Sequence, residues 1–251
     1  MILRVLGSSS SGNCYLLQSF PTGEVLVIEA GVRFDKVKQA LDYNVRSVVG
    51  CIVSHEHGDH ARCVKDFIKP SICIPCYMSA GTKETLGFSD YHWVKAMYEF
   101  QKVQIGSFMV LPFPTQHDAK EPFGFLIKHQ ECGTVLFATD TYFLQYNFDG
   151  INNVMLECNY DKAILDANLE AGRIDQRRYD RTMQSHMSFA NCVRTLQAND
   201  LSQVCNIVLL HLSDGNSNER EFVQGIQALY PEIEVTAAKS GLSLAFNKQP
   251  Y

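Results

Sequence analysis

The residues best suited to chemistry stand in the segment HEHGDH, which begins at His55. Neutral imidazole and carboxylate groups are the usual side-chain ligands of zinc and similar divalent cations. His55 and His57 alternate as on a strand, so their rings can point the same way. Asp59 and His60 follow Gly58, which lets the chain turn. The segment therefore offers two pairs of ligands, enough to begin two neighbouring metal sites. The alternative is a polar turn in which the histidines are incidental. It is disfavoured, because adjacent charged imidazoles would repel one another without a structural gain.

An uncharged, partly β-branched run, Val48–Val53, precedes this segment and predicts a buried strand. A buried strand holds the following loop rigidly, which favours a preformed site. The same order, an apolar strand and then a polar side chain, recurs at His117, Asp140, Glu157 and His211. A lone loop histidine is usually a surface residue, but a partial metal cluster requires further ligands. We therefore treat these positions as candidates to complete the site.

Strands and helices alternate through both halves of the chain, and each half opens with several strands. This order predicts an α/β fold in which two sheets pack face to face with helices on the outer faces. No repeat, low-complexity segment or linker interrupts it, so residues 1–251 are predicted to form one domain. The charged stretch 161–184 is predicted to be helical, and Ser188 is predicted to cap the next helix.

Composition excludes several classes of protein. The net charge of −5 argues against sequence-independent coating of nucleic acid, although it leaves room for a nuclease with a few local cations. Nine cysteines, an odd number in a long chain, are predicted to be free thiols in a reducing compartment. The pair Cys73 and Cys76 is assigned to a predicted strand, 72–78, where positions three apart face opposite ways. A redox or zinc motif is therefore disfavoured there.

The chain shows no sign of export or membrane insertion. Its first residues, Ile2–Leu6, read as a strand rather than a signal peptide, and no apolar run approaches the length of a membrane span. We expect a cytoplasmic protein without a membrane partner. The loop Gly7–Asn13 is rich in serine, and it is either a flexible connection or a loop that supplies backbone donors near the metals.

The chain resembles the metallo-β-lactamase fold superfamily. Its HEHGDH segment matches the family's H-x-H-x-D-H, and His117, Asp140 and His211 follow in the family's order. The resemblance implies an αββα sandwich. Within the superfamily, the chain is most similar to the small YycJ-type nucleases. The stretches that match this subgroup are Leu6–Cys14, His117–Ala119, Glu157–Asp161, His186–Ser188 and Leu210–Ser213.

The resemblance implies a binuclear metal site with a bridging hydroxide as nucleophile. Zinc is the favoured metal, and manganese and iron are the alternatives. Asp140 would bridge the two ions. The other ligands would be His55, His57 and His117 for one ion, and Asp59, His60 and His211 for the other.

Three residues are implied to act in catalysis: Asp59, Glu157 and His186. His186 matches a histidine that protonates the leaving group in the related ribonuclease Z group, and Glu157 matches its carboxylate partner. Such a carboxylate orients the ring and raises its pKa. A helix-capping neighbour for His186 and a surface strand end for Glu157 are the structural alternatives.

Four arginines shortly before His186 are either a solvated helix face or contacts to a phosphate backbone: Arg173, Arg177, Arg178 and Arg181. Two positions depart from the family pattern. Glu29 replaces the usual aspartate of D-A-G, which supports the histidine loop, and Ser185 replaces glycine. Glu56 and Gly58 are interpreted as spacers.

The favoured function is therefore a metal-dependent phosphodiesterase that acts on nucleic acid, with a DNA exonuclease preferred over an enzyme acting on RNA. One alternative is a hydrolase of a small cyclic phosphodiester or a thioester, as in glyoxalase II-like relatives. Another is a metal-binding or redox module without hydrolytic activity. The sequence leaves the oligomeric state open.

Overall fold

The computed structural model describes residues 1–249, which contain two seven-stranded sheets. Strands are numbered along the chain. The first sheet contains β1 (Ile2–Gly7), β2 (Cys14–Gln18), β3 (Val25–Ile28), β4 (Val48–Ile52), β5 (Cys76–Ser79), β6 (Val94–Met97) and β14 (Ser243–Ala245). The second contains β7 (Val103–Ile105), β8 (Phe108–Pro114), β9 (Phe123–His129), β10 (Gly133–Ala138), β11 (Asn153–Glu157), β12 (Asn206–Leu210) and β13 (Glu234–Ala237).

The two sheets repeat one arrangement. In the first, β1, β2 and β3 pair antiparallel and β3 to β6 pair parallel, while β14 adds antiparallel to β1. In the second, β7 to β10 pair antiparallel and β10 to β13 pair parallel. Consequently β8, β10, β11 and β12 all run in one direction and end at the same edge of the sheet.

Helices pack on the outer faces of both sheets. The helices are α1 (Phe34–Ala40), α2 (Gly58–Ala61), α3 (Val64–Phe67), α4 (Ala80–Thr85), α5 (Lys162–Glu170), α6 (Gln176–Ser185), α7 (Phe189–Ala198) and α8 (Glu219–Leu229). Of these, α2 and α6 lie at the edge where the polar side chains collect.

Three apolar layers hold this sandwich together. The central layer lies between the sheets, where Tyr15 of β2 meets Phe137 of β10 edge to face at 5.7 Å. On the first sheet, α1 and α3 pack through Phe34 and Phe67, whose ring centroids lie 4.6 Å apart. On the second sheet, α7 and α8 pack through Phe189 and Phe222, whose stacked ring centroids lie 4.8 Å apart. The predicted αββα sandwich is confirmed.

One local prediction was wrong, and a second is refined by the structure. The strand predicted over 72–78 begins only at Cys76, because Cys73 adopts a left-handed φ of 56° and Pro75 has no N–H for a ladder. The argument from strand alternation therefore fails, but both cysteines are free, as are the other seven. The stretch 161–184 forms two helices, because Gly172 is left-handed (φ 67°) and Asp175 caps α6.

Other local predictions were accurate. Ser188 caps α7, where its hydroxyl accepts a hydrogen bond from Asn191 N. The helices within residues 1–249 are all too short or too polar to cross a bilayer. The extent of the domain stays a prediction.

Candidate metal centre

Three polar residues at strand ends adopt backbone conformations that L-residues rarely occupy. Glu29 follows β3 with φ 67°, Asp140 follows β10 with φ 47°, and His211 follows β12 with φ 54°. Each such residue costs of order 1–3 kcal/mol, and strain of this kind concentrates at functional sites. The sandwich holds all three side chains buried at the same edge.

The first ligand cluster comprises His55, His57 and His117, with one ring nitrogen of each within 4.8 Å of the others. His117 Nε2 lies 3.1 Å from His57 Nδ1. His117 Nδ1 donates to the Ser185 carbonyl at 2.8 Å, which requires the proton on Nδ1 and leaves Nε2 with a lone pair. His55 Nδ1 is 2.9 Å from Ser54 Oγ. The outer nitrogens of His55 and His117 are thus fixed, as is usual for ligating histidines.

The second ligand cluster comprises Asp59, His60, Asp140 and His211, again with ligand atoms within 4.8 Å of one another. Asp59 Oδ2 lies 3.4 Å from His60 Nε2 and 3.5 Å from His211 Nε2. Asp140 Oδ1 lies 3.2 Å from His211 Nδ1. Two carboxylates and two imidazoles therefore converge on one volume.

Asp140 connects the two clusters. Its Oδ2 lies 3.3 Å from His60 Nε2 and 3.6 Å from His117 Nε2, one ring from each cluster. Burial opposes its ionisation, but the rings of His211 and His60 outweigh burial and hold the pKa of Asp140 well below its usual range. The residue is an anion placed between two groups of donors.

The donor set fits a pair of divalent cations. The Nε2 atoms of His55 and His211 are buried and have no hydrogen-bond partner among residues 1–249. Burial lowers the pKa of His55, as a neutral ligand requires. At His60, burial is outweighed by the carboxylates of Asp140 and Glu29, which raise its pKa well above the usual value. The cluster attracts positive charge, and its unpaired nitrogens point where a cation would bind.

The longer side chain of Glu29 is accommodated. Its Oε1 accepts a hydrogen bond from Ser54 N at 3.2 Å, and its Oε2 lies 3.4 Å from His60 Nδ1. The residue therefore contacts both ends of the histidine loop and orients the His60 ring so that Nε2 faces Asp140.

The serine-rich loop lies against the metal centre. Asn13 N donates to Asp59 O at 2.7 Å, and Asn13 Nδ2 lies 3.0 Å from His60 Nε2. Ser8 Oγ accepts from His211 N at 3.0 Å. The loop thus joins a ligand segment from each sheet. The turn-rich composition allowed for a backbone-donor loop, but nothing in the sequence indicated the roles of the Asn13 and Ser8 side chains.

Glu56 lies outside both ligand clusters, as its interpretation as a spacer implies, but it also connects two loops. Its Oε1 accepts from Lys120 N at 2.7 Å, and its Oε2 accepts from Thr82 Oγ1 at 3.3 Å. Lys120 lies in the loop that carries His117. Glu56 therefore connects the histidine loop to the loop of His117, the third ligand of the first cluster. No local sequence signal could have shown this, since the partners are far apart along the chain.

Glu157 and His186 form the predicted pair. His186 Nδ1 lies 2.7 Å from Glu157 Oε1. Burial opposes protonation of His186, but the Glu157 carboxylate outweighs burial and raises the pKa of the ring. Glu157 is fully buried, so it is not a surface strand end. His186 does end α6 as its C-cap residue, but its ring also lines the cavity that the ligand clusters line.

The cavity has a volume of about 360 Å³, and its lining shows which of the four arginines lie at the site and which do not. Arg178 and Arg181 line it, opposite the ligand clusters. Arg173 instead donates to Asn168 Oδ1 at 2.8 Å. Arg177 lies in an adjoining groove beside Arg181. The run is therefore partly a wall of the site and partly a structural contact.

Comparisons with known proteins agree with this fold. The chain is 26% identical over 175 residues to the exodeoxyribonuclease YycJ of Bacillus anthracis, and the match spans 64% of each protein, slightly under two thirds. Solved structures match nearly the whole chain. The metallo-beta-lactamase fold protein YhfI of Bacillus subtilis has a TM-score of 0.69 and 18% identity, with 97% of this chain and 99% of that chain covered.

Two further structures carry the same fold. A diphosphatase of the PhnP family matches with a TM-score of 0.67 and 18% identity, over 97% of this chain and 96% of that one. The short form of human tRNase Z matches with a TM-score of 0.62 and 15% identity, over 98% and 99%. The sequence profile described as the metallo-beta-lactamase superfamily matches residues 9–144, more than half of the chain. With this profile, the two-sheet sandwich and the histidine–aspartate clusters in agreement, the chain belongs to the metallo-beta-lactamase superfamily.

Proposed function

We propose that this metal-dependent hydrolase is a phosphodiesterase that cleaves nucleic acid, most specifically a DNA exonuclease of the cytoplasm. The observation that carries the proposal is the content of a single cavity. Residues of both ligand clusters, His186 and two arginines line it, and Glu157 holds His186 from outside the lining. The names of relatives that act on nucleic acid, an exodeoxyribonuclease and a tRNase, support the same substrate class.

In this proposal the seven residues of the two clusters would hold two ions, zinc by preference and manganese or iron as alternatives. His55, His57 and His117 would hold one ion and Asp59, His60 and His211 the other, with Asp140 shared between them. When bound, two such ions would supply a water of lowered pKa as nucleophile and would offset charge on the phosphoryl oxygens.

His186 supplies the proton that the reaction needs. Its Nδ1 is held by Glu157, so Nε2 is the ring nitrogen left to face the cavity. As the P–O bond breaks, Nε2 donates its proton to the leaving alkoxide oxygen, and the imidazole becomes neutral. Glu157 keeps the ring oriented and charged beforehand, so a positioned acid is present near neutral pH.

Arg178 and Arg181 recognise the phosphate. A guanidinium group matches the geometry of phosphate oxygens and keeps its charge at all physiological pH values. Arg181 is oriented by Asp118, whose Oδ2 accepts from Arg181 Nε at 3.1 Å. These cations are local, so they are compatible with a chain whose net charge is −5.

The alternatives fit these features less well. A thioester has no phosphoryl group for the arginines to contact. Oxygen-reducing relatives would carry an acidic ligand near the position of His57, but the only nearby candidate, Glu56, is hydrogen-bonded to Lys120 and Thr82. A small cyclic phosphodiester would use the same residues as a nucleic acid, and experiment separates these two.

The test is cleavage of end-labelled oligonucleotides by the purified protein with added Mn²⁺ or Zn²⁺. We expect mononucleotides to be released, and we expect Asp59→Ala and His60→Ala to abolish release. Asp90→Ala, at an exposed position outside the cavity, is the matched control and should retain activity. Hydrolysis of a cyclic dinucleotide or a thioester while oligonucleotides stay intact would contradict the proposal.

A further inference from the structure

A groove leads away from the metal centre along α6 and toward α7. Its first part adjoins the cavity through His117 and Arg181 and contains Arg177, Gln184 and Tyr142. Its second part continues from Tyr142 to Phe143 and Arg194. Because each part shares a lining residue with the next, the depressions adjoin one another, at His117 and Arg181 and again at Tyr142. We call them together the arginine–tyrosine groove and define it by Tyr142, Arg177, Arg181 and Arg194.

The groove carries positive charge that the rest of the fold does not use. Arg177 and Arg194 are exposed, and within residues 1–249 neither forms an ion pair. Two acids also line the groove: Asp118 is paired with Arg181 at 3.1 Å, and Asp180 accepts from the neutral Gln176 Nε2 at 2.7 Å. Three arginines against two carboxylates leave the groove with an excess of positive charge, which is complementary to a polyanion.

The groove also offers an aromatic face. Tyr142 is half-buried at the junction of its two parts, and its ring centroid lies 4.8 Å from that of Phe143. Asn191 Nδ2 donates to Tyr142 O at 2.9 Å and fixes the backbone. An aromatic ring among arginines is the arrangement with which proteins bind unpaired bases and their phosphates together.

We propose that the arginine–tyrosine groove binds a single nucleic-acid strand, which runs from the scissile phosphate at the metal centre past Tyr142 to Arg194. Its phosphates contact Arg177 and Arg194, and one base stacks on Tyr142. A duplex would hide its bases from this ring, so the groove selects single-stranded over paired substrate. The inference rests on the proposed nuclease activity, and it adds where the strand lies and which form is bound.

The experiment compares Tyr142→Ala and Arg194→Ala with two matched controls, Tyr91→Ala and Arg46→Ala, both at exposed positions outside the groove. The holoenzyme is titrated with a fluorescent 12-mer of deoxythymidine whose phosphorothioate linkages slow hydrolysis. We expect Tyr142→Ala to weaken binding about 5- to 100-fold, as for loss of one stacked base. We expect Arg194→Ala to reduce the slope of log affinity against log salt by about 0.7, as for loss of one phosphate contact to a single strand.

Kinetics on cleavable substrates supply a second readout that a folding defect would not mimic. The ratio of kcat/KM for a 12-mer to that for a dinucleotide should fall in both groove variants and stay at the wild-type value in both controls. Unchanged binding and an unchanged ratio in an enzyme that cleaves oligonucleotides would overturn the groove alone. Equal loss on duplex and single-stranded 12-mers would overturn the single-strand assignment. A wild-type protein that neither binds nor cleaves oligonucleotides would overturn the nuclease proposal and the groove with it.

Discussion

Glu157 holds His186 with one carboxylate oxygen and the surrounding backbone with the other. Oε1 lies 2.7 Å from His186 Nδ1, while Oε2 accepts from Thr141 N at 2.8 Å and from Met187 N at 3.1 Å. The carboxylate is thus fixed at the end of β11, and it fixes the ring in turn. The Glu157 carboxylate therefore raises the pKa of His186 and also fixes the position of its ring.

The first prediction concerns pH. The carboxylate raises the pKa of His186, and the ring must be protonated to act as an acid. The alkaline limb of kcat/KM for a small phosphodiester therefore reports this pKa. In Glu157→Gln the anion is lost, the pKa of His186 falls, and the limb should move to lower pH. Glu232→Gln, at an exposed position in the turn before β13, should leave the limb in place. If the alkaline limb of kcat/KM does not move in Glu157→Gln, His186 is not the acid that protonates the leaving group.

The second prediction separates catalysis from metal binding at His186. His186→Ala should lower kcat about 10²- to 10⁴-fold, the usual contribution of a positioned acid, while two metal ions remain bound per chain. Elemental analysis of the dialysed protein measures the number of metal ions bound per chain. His186 also lies within ligand distance of Asp140 and His211, so loss of one ion would instead identify it as a ligand. His92→Ala, at an exposed position, is the matched control.

The third prediction concerns Asn13, which the sequence did not single out. Its side-chain amide Nδ2 lies 3.0 Å from His60 Nε2 and donates to Asp59 O at 3.3 Å and to Asp59 Oδ2 at 3.4 Å, so the side chain positions two neighbouring ligands. Asn13→Ala should weaken metal affinity about 10- to 100-fold, as for other residues that orient ligands. Competition with a chromogenic chelator measures the change.

The control for Asn13 is another buried asparagine. Asn206 lies at the start of β12, at the opposite end from His211, and donates to Asn153 Oδ1 at 2.7 Å. Asn206→Ala should lower the melting temperature but leave metal affinity unchanged. If both variants lose metal equally, general destabilisation rather than positioning explains the effect of Asn13→Ala.

The fourth prediction concerns stability on metal removal. Cations that bind only the folded chain stabilise it by mass action, by about 2.7 kcal/mol for each ion at a free concentration one hundred times Kd. For two ions and a chain of this size we expect a chelator to lower Tm by about 10–20 °C, and added Zn²⁺ or Mn²⁺ to restore it. The double variant Asp59→Ala/Asp140→Ala should show no such response. A Tm that is insensitive to chelation in the wild type would argue against a resident metal pair.

Much of the fold was predictable because its signals are local. The apolar run Val48–Val53 predicted β4 to within one residue, and Ser188 predicted the start of α7 through its side-chain cap. The family profile confirms the resemblance carried by HEHGDH. The error at Cys73 has a local cause as well, since Pro75 interrupts an otherwise apolar run and delays the strand.

The supporting contacts of the site could not be predicted, because their partners are distant along the chain. Glu56 meets Lys120, and Ser8 meets the backbone of His211, only after the sheets have packed. The same holds for the arginine–tyrosine groove, where Tyr142 follows β10 and Arg194 belongs to α7. Sequence patterns show which side chains could bind a metal, but the packing of the sandwich decides which residues hold those ligands in place.

The most direct test of the account is stepwise reconstitution of the apoprotein with Zn²⁺ or Mn²⁺ while cleavage of a labelled single-stranded oligonucleotide is followed. The account predicts that activity appears as the second equivalent of metal binds, and that it disappears in Asp140→Ala. Saturation with two equivalents while the oligonucleotide stays intact, or full cleavage with no metal bound, would contradict it.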